Sequence, residues 1–326
     1  MNSRRSWSRR YSLSNDKSMR AIYEKSIEIL KKAEALALQY SDKGFFLAFS
    51  GGKDSQCLYH IAMLAGVKFE AHYARTGIDH PELVHFIMRN YPDVIWDRPD
   101  MTFWELVIKR RMLPTRQFRY CCEVLKEGGG GNTVTLTGVR RAESAKRAKR
   151  NTFEVSSHKF SSDSESDFEQ WRMDEIAKQR TKNTNRDQFA EQGDTEVRCI
   201  SGKDKIIINP IIDWTDKDVW EFLNNVVKVE HCELYDNGYH RLGCLFCPMA
   251  SMKEQRRMER DYPKYKRQYL RTIRKLRKYR EENGLPDYYK DMTDEDVFQW
   301  WLSKKSLDAW KADNIYTKDM FSNQQF

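Results

Sequence analysis

Phe45-Phe-Leu-Ala-Phe-Ser50-Gly51-Gly52-Lys53-Asp54-Ser55 runs from consecutive apolar residues into two glycines and a lysine. An unbroken apolar run reads as a strand buried on both faces, because a half-exposed strand would alternate. Cys57, Leu58, Ile61, Ala62, Leu64 and Ala65 then recur at helical spacing. A buried strand that turns through glycines into a helix offers free backbone N–H groups and the positive end of a helix dipole to an anion. Gly51 and Gly52 permit close approach of the backbone, Lys53 adds charge, and the hydroxyls of Ser50 and Ser55 add donors. The pattern is that of a phosphate cradle, distinct from the Gly-x-x-x-x-Gly-Lys-Ser/Thr loop. A structural corner with an incidental lysine would explain a bare Gly-Gly turn, but the string Ser-Gly-Gly-Lys-Asp-Ser is far more restrictive.

Outward from this stretch, strands alternate with helices. Met19, Ile22, Ile27, Leu30, Ala33, Leu36 and Ala37 mark an amphipathic helix before it. Val67–Tyr73 and Val94–Trp96 read as strands, Pro81 sits near a helix start, and Thr102 with Glu105 has capping-box spacing. Thr133–Thr137 and Lys205–Pro210 are further strands, and Thr215 with Asp218 suits the start of a helix through Val219, Trp220 and Leu223. This alternation predicts an α/β fold with a mainly parallel, doubly wound sheet. Ligands in such sheets sit at the carboxyl ends of strands. The exits Ser50–Ser55, Arg75–Glu82 and Gly138–Ser144 are therefore expected to meet at one cleft.

The chain has 326 residues, 40% hydrophobic and 13% aromatic, enough for a sizeable core. No apolar run approaches the ~20 residues needed to span a bilayer, and the basic N-terminus lacks a secretory apolar core, so a cytoplasmic location away from membranes is expected. Residues 1–15 read as a basic flexible arm, 16–250 as a nucleotide-binding domain, and 251–326 as a basic helical region. The serine-rich, acidic tract 156–197 reads as a mobile inserted loop with at most one helical turn near Trp171 and Ile176. The net charge is +9, and Lys253–Arg280 alone carries thirteen Lys/Arg against three acids. That excess suits phosphates of nucleic acid, although a solvated helix face is the plainer reading of a charge run. Tyr262, Tyr265, Tyr269, Ile273 and Leu276 form the packed stripe of this helix, with its lysines and arginines outward.

Seven cysteines, two adjacent, make a poor disulfide framework. Cys121-Cys122 and Cys244-Leu-Phe-Cys247 together supply four soft thiolates, which suit zinc or an iron–sulfur cluster. Cys57, Cys199 and Cys232 have no partner spacing and read as structural.

Ser-Gly-Gly-x-Asp-Ser resembles the PP-loop signature of ATP pyrophosphatases and sulfonucleotide reductases. The Cys-Cys plus Cys-x-x-Cys arrangement resembles the [4Fe–4S] site of adenylylsulfate (APS) reductases, within the phosphoadenosine phosphosulfate (PAPS)/APS reductase family. Asn209-Pro-Ile-Ile-Asp-Trp214-Thr-Asp-Lys-Asp-Val-Trp220, Leu234-Tyr-Asp-Asn-Gly238-Tyr-His-Arg-Leu-Gly-Cys244, Thr76-Gly77…Pro81-Glu82 and Gly138-x-Arg140-x-x-Glu143-Ser144-x-x-Arg147 are also similar to that family's segments. The likeness covers roughly residues 45–150 and 205–250. It implies a Rossmann-like, adenine nucleotide alpha hydrolase-like (PP-loop/HUP) fold. It further implies nucleotide binding by Ser50, Gly51, Gly52, Lys53, Asp54, Ser55, Thr76, Gly77, Gly138, Arg140, Glu143 and Arg147, with Lys53, Asp54 and Arg140 catalytic. Cys121, Cys122, Cys244 and Cys247 become the ligands of the cluster.

The family's sulfate-attacking cysteine, in a Glu-Cys-Gly-x-His setting, has no counterpart after Cys247. The resemblance therefore turns from sulfonucleotide reduction towards relatives that act in DNA phosphorothioation and tRNA thiolation. These imply ATP with Mg2+ as the ligand, a cysteine desulfurase as sulfur donor, DNA or tRNA as partner through the basic C-terminal helix, and room for a homodimer. A sulfonucleotide reductase with an external thiol and a non-catalytic nucleotide-binding protein are the competing expectations.

Overall fold

A computed structural model describes residues 17–156, 160–184 and 205–316. The expected arm at 1–15 and Cys199 lie outside the described residues. The chain divides into two compact units, one drawn from Met1–Tyr73, Leu83–Asp97 and Gly129–Glu233, the other from Ala74–Glu82, Arg98–Gly128 and Leu234–Phe326.

The first unit is built on a sheet of β1 (Phe45–Ala48), β2 (Phe69–Ala74), β3 (Ile95–Asp97), β4 (Val134–Leu136), β5 (Phe153–Val155), β6 (Phe160–Ser162) and β7 (Ile206–Ile208), in the order β3-β2-β1-β4-β7-β5-β6. β1 is parallel to β2 and β4, and β4 to β7, while β5 runs antiparallel to β7 and β6. With α1 (Lys17–Tyr40), α2 (Lys53–Ala65), α3 (Pro81–Asn90), α6 (Glu165–Thr184) and α7 (Asp216–Glu221) flanking it, this is the expected α/β fold with a mainly parallel sheet. The chain adds β2 and β3 on one side of β1, then returns to place β4 on the other. The carboxyl ends of β1 and β4 thus flank the point where strand order reverses, the usual ligand crevice of open α/β sheets.

β1 departs from the sequence reading. Phe45 and Leu47 are buried, but Phe46 is half-buried and Ala48 exposed. The Phe46 ring stacks on His72 with centroids 4.2 Å apart, and Gly129 lies so close that a Cβ there would meet Phe46 Cζ at 2.8 Å. A half-covered face is enough to keep an apolar run in a strand.

The acidic, serine-rich tract also differs from the loop expected. Its described part forms β6 and the 20-residue helix α6. Phe168 is buried and stacks on Phe153 at 5.4 Å, and Trp171 packs on Phe160 at 5.3 Å. Two aromatic anchors hold a helix whose polar composition hides any periodicity, and Glu165 and Asp167 in its first turn suit the helix dipole.

The second unit contains α4 (Phe103–Arg110), α5 (Tyr120–Leu125), α8 (Met252–Asp261), α9 (Pro263–Glu282), α10 (Asp294–Leu302) and α11 (Leu307–Lys311). The Thr102–Glu105 capping box is present at α4, as Thr215–Asp218 is at α7. Tyr269 on α9 is the hub: its ring packs edge-on or tilted against Phe103, Trp104, Phe246 and Trp301, with centroids 4.9–5.6 Å away, and its hydroxyl donates to the Leu245 carbonyl at 2.8 Å. The tyrosine stripe is core, as read. Two arginines of α9 are not outward, however. Arg280 is buried and donates to the Pro286 and Arg111 carbonyls, and Arg277 is half-buried on Met292 and Asp294. The polypeptide bends back after α9 and presents carbonyls that only a long donor can reach.

His60 on α2 sits 2% exposed beside the Tyr91 hydroxyl, whose oxygen accepts from Gln56 Nε2 at 2.8 Å. Burial pushes its imidazole down to about 3. Between pH 6.5 and about 3 the unfolded chain binds a proton that the folded one refuses, so acid destabilises the fold. Urea titrations across this range should lose up to about 1.4 kcal/mol per pH unit from this group, and His60→Gln should remove that component. Identical slopes in the two proteins would refute it.

Candidate functional site

The loop after β1 closes on its own hydroxyls. Ser55 Oγ donates to the Gly52 carbonyl at 2.9 Å, while Ser50 reaches Ser55 Oγ from its N–H at 3.2 Å and from its own hydroxyl at 3.1 Å. Gly51 has φ +72, and a Cβ there would lie 2.6 Å from Ile87 Cδ1, so both handedness and space require glycine. α2 begins behind Gly52 with no side-chain cap, which leaves its first-turn N–H groups to another acceptor. Gly138, at the exit of β4, packs so closely that a Cβ would stand 3.0 Å from the Asp54 carbonyl.

Behind this cradle lies a ring of four charges. Arg140 is 1% exposed and donates to Asp54 Oδ1 at 2.7 Å, Asp216 Oδ1 at 2.5 Å and the Trp214 carbonyl at 3.1 Å. Lys53, 5% exposed, lies 3.1 Å from both Asp54 Oδ1 and Asp216 Oδ1. Burial works against ionisation of Asp216, yet bonds from Lys53 and Arg140 hold its carboxyl below the usual range. The sequence reading brought Lys53, Asp54 and Arg140 together; it missed Asp216, which the quoted Asn209–Trp220 segment contained without a role.

That segment explains itself structurally. Asn209 is fully buried and bonds Thr137 Oγ1, the Asn151 carbonyl at 2.7 Å and Glu154 Oε2 at 3.1 Å. Ser26 on α1 donates to the Pro210 carbonyl at 2.8 Å and accepts from Trp214 Nε1 at 3.1 Å. The exit of β7 is thereby pinned, and the first residue of α7 arrives beside Arg140. Glu143 and Arg147 pair with each other, and the Arg140 N–H points to Glu143 Oε2 at 3.5 Å.

Thr76 and Gly77 belong to the second unit. Thr76 Oγ1 donates to Asp79 Oδ2 at 2.7 Å, closing a turn in which Gly77 takes φ +77, and Thr76 lines a pocket shared by Cys121, Cys122, Cys244 and Cys247. An antiparallel bridge of Asp79 with Cys244 and the 2.7 Å bond from Leu245 N–H to the Ile78 carbonyl join the two segments. His80, also missed from sequence, is fully buried and donates through Nδ1 to the Gly243 carbonyl at 2.9 Å, which holds the turn before Cys244. Arg119 Nη2 lies 3.1 Å from Cys122 Sγ, and Lys126 bonds Cys244 and stands 3.7 Å from Asp79. A bond from Cys121, with Arg119 adding to it, pushes the Cys122 thiol down, whereas burial pushes Cys244 up to about 11 and raises Cys247. Among the described residues, no three His, Cys, Asp or Glu side chains converge as ligands of a single ion. Cys121, Cys122, Cys244 and Cys247 nevertheless line one pocket, with Arg119 and Lys126 beside them. Cys57 and Cys232 are buried in the first unit, as structural cysteines would be.

The model of the phosphoadenosine phosphosulfate reductase domain matches residues 44–250. Two uncharacterized proteins of Methanocaldococcus jannaschii are similar: MJ0066, 25% identical over 82% of this chain and 46% of its own length, and MJ0973, 26% identical over 86% and 59%. The chain therefore spans about half the length of these relatives. Among solved structures, a PAPS reductase from Candida auris in a phosphate complex is 16% identical over 72% of this chain and 98% of its own, with TM-score 0.39. A Candida glabrata FMN adenylyltransferase in complex with ATP is 14% identical over 72% and 64%, with TM-score 0.41. No described helix is long and apolar enough to cross a membrane.

Removing Arg140 would strip Asp54 and the Trp214 carbonyl of a buried donor, so Arg140→Met should cost about 3 kcal/mol in chemical denaturation. Asp216, with 71% of its side chain exposed, should cost less than about 1 kcal/mol as Asp216→Asn. Equal losses would show that the ring is not organised around Arg140.

Proposed function

The chain belongs to the phosphoadenosine phosphosulfate reductase domain family, and on that premise we propose that it is an ATP pyrophosphatase that activates a nucleic-acid oxygen for replacement by sulfur. The observation that carries this is the uncapped start of α2 beside two buried cations, Lys53 and Arg140, at the strand-order reversal. In the proposed reaction a substrate oxygen attacks the α-phosphorus of ATP, the bond to the bridging oxygen breaks, and pyrophosphate leaves. Sulfide, freed from the donor's persulfide by a thiol reductant, then attacks the atom that bears the activated oxygen, and AMP departs with that oxygen.

The roles follow from the charges. The loop N–H groups of Ser50–Ser55, Lys53 and Arg140 hold phosphate oxygens and offset the charge that develops as pyrophosphate leaves. Asp54 and Asp216 would hold Mg2+, which neutralises the phosphates and ordinarily keeps several waters beside one or two carboxylates. As phosphates and cation enter together, each member of the ring exchanges one opposite charge for another. No buried charge is stranded. Gly138 packs against Asp54, and Glu143 and Arg147, which pair with each other, would complete the nucleotide contacts of this cradle.

Cys121, Cys122, Cys244 and Cys247 would hold a [4Fe–4S] cluster, which supplies electron-transfer and sulfide-handling chemistry when bound. Thr76 and Gly77 belong with this group, and a cysteine desulfurase is the donor of sulfur in this reading. A cytoplasmic setting suits reduced thiols. The family match equally favours a second reading, reduction of APS or PAPS by an external thiol, since both reactions need the same phosphate cradle.

Anaerobically purified protein given ATP, Mg2+, sulfide and either duplex DNA or tRNA should release AMP and pyrophosphate. Lys53→Ala should lower that release at least about a hundredfold, with circular dichroism and iron content unchanged. Release of neither product refutes the proposal, and thioredoxin-dependent sulfite release from PAPS would establish the second reading in its place.

A further inference from the structure

The buried face of α9 is accounted for by Tyr269, Thr272, Ile273 and Leu276. Its opposite face is not. At ~100° per residue, Lys264, Arg267, Arg271, Arg274, Lys275 and Lys278 fall within an arc of about 100° on the side away from that core, and all are exposed. Arg274 pairs with Asp294 and Lys278 with Glu282. Lys264, Arg267, Arg271 and Lys275 have no ion pair among the described residues. Four like charges kept together without partners cost stability through mutual repulsion, and an anionic surface would relieve it.

From Lys264 to Lys278 the arc is about 21 Å long. One strand of a duplex presents a phosphate about every 3.4 Å of axis, so the arc runs past roughly six of them. No aromatic ring lies in the arc: Tyr262 and Tyr269 are buried, and Tyr265 is half-buried. Stacking platforms for unpaired bases are therefore absent from this face. A straight helix with one free face matches the major-groove side of B-form DNA, whereas the major groove of duplex RNA is too deep and narrow to be read.

We propose that the outer face of α9 tracks the sugar–phosphate backbone of double-stranded DNA. The reading deepens the proposed nucleic-acid substrate and rests on it for its purpose. Tyr269, on the inner face of the same helix, lines the cysteine pocket. The tracked phosphates would thus lie across α9 from the four thiols, at least about one helix diameter, 10–12 Å, away.

The test is binding of the full chain, without ATP, to a 20-base-pair DNA duplex followed by fluorescence anisotropy across a salt series. Four phosphate contacts predict a slope of log Kobs on log salt of about −3.6. Arg267→Glu/Arg271→Glu/Lys275→Glu should weaken binding more than tenfold and flatten the slope to about −1. Lys31→Glu/Lys43→Glu/Lys68→Glu makes the same change in net charge on exposed positions of the first unit and should leave binding near wild type. A wild-type slope shallower than about −1, an equal loss in both variants, or tighter binding to duplex RNA or single-stranded DNA would overturn the proposal. Because no nucleotide is present, a failed pyrophosphatase assay leaves this outcome intact, and the converse also holds.

Discussion

Two cations taken almost wholly out of water, Lys53 and Arg140, set the terms for the first unit. Burying an isolated charge costs several kcal/mol, so each must find an opposite charge at hydrogen-bond distance. Asp54 and Asp216 provide it. The four residues come from three chain segments: the helix after β1, the exit of β4 and the start of α7. The neighbouring positions of β1, β4 and β7 in the sheet bring these segments within reach of one another. Each buried cation contacts both carboxylates, and Arg140, the most deeply buried member, ties the three segments together. Under the proposed function the same ring would meet phosphates with charges already held in place, which need no reorganisation.

The second unit solves a different problem. Its cysteines lie on a short helix and in a turn, neither of which is stiff by itself. Tyr269 joins them to the helices by packing against five aromatic neighbours and by bonding the Leu245 carbonyl between Cys244 and Cys247. His80 holds the Gly243 carbonyl from the other side. Arg119 and Lys126 supply positive charge where thiolates would gather. Under the proposed function, a thiol that is buried and protonated must give up its proton to bind metal, and these cations would favour that step.

The α/β alternation, most strand positions, two capping boxes and the cradle were legible because each is written in contiguous residues. The hairpin of β5 and β6 and the helix α6 were not. Their stability comes from Phe153, Phe160, Phe168 and Trp171 meeting across the fold, and a serine- and acid-rich string gives no periodic sign of that. Arg277 and Arg280 were misread as surface charge for a related reason: a charge run looks the same whether or not carbonyls wait beside it. Asp216 stood in plain view as one more acid after a helix cap. Only its arrival at Arg140 distinguishes it.

The sequence by itself determined the local chemistry: glycines where φ is positive, a lysine and an aspartate at the head of a helix, four cysteines in two pairs, and an excess of cations on one amphipathic helix. These follow from short-range rules of backbone sterics, helix periodicity and side-chain charge. Which of these groups face one another was decided by tertiary structure alone. Electrostatic pairing acts over a few ångströms, and Lys53 and Asp216 are brought to 3.1 Å by a sheet whose strand order, not its sequence order, sets who is near whom.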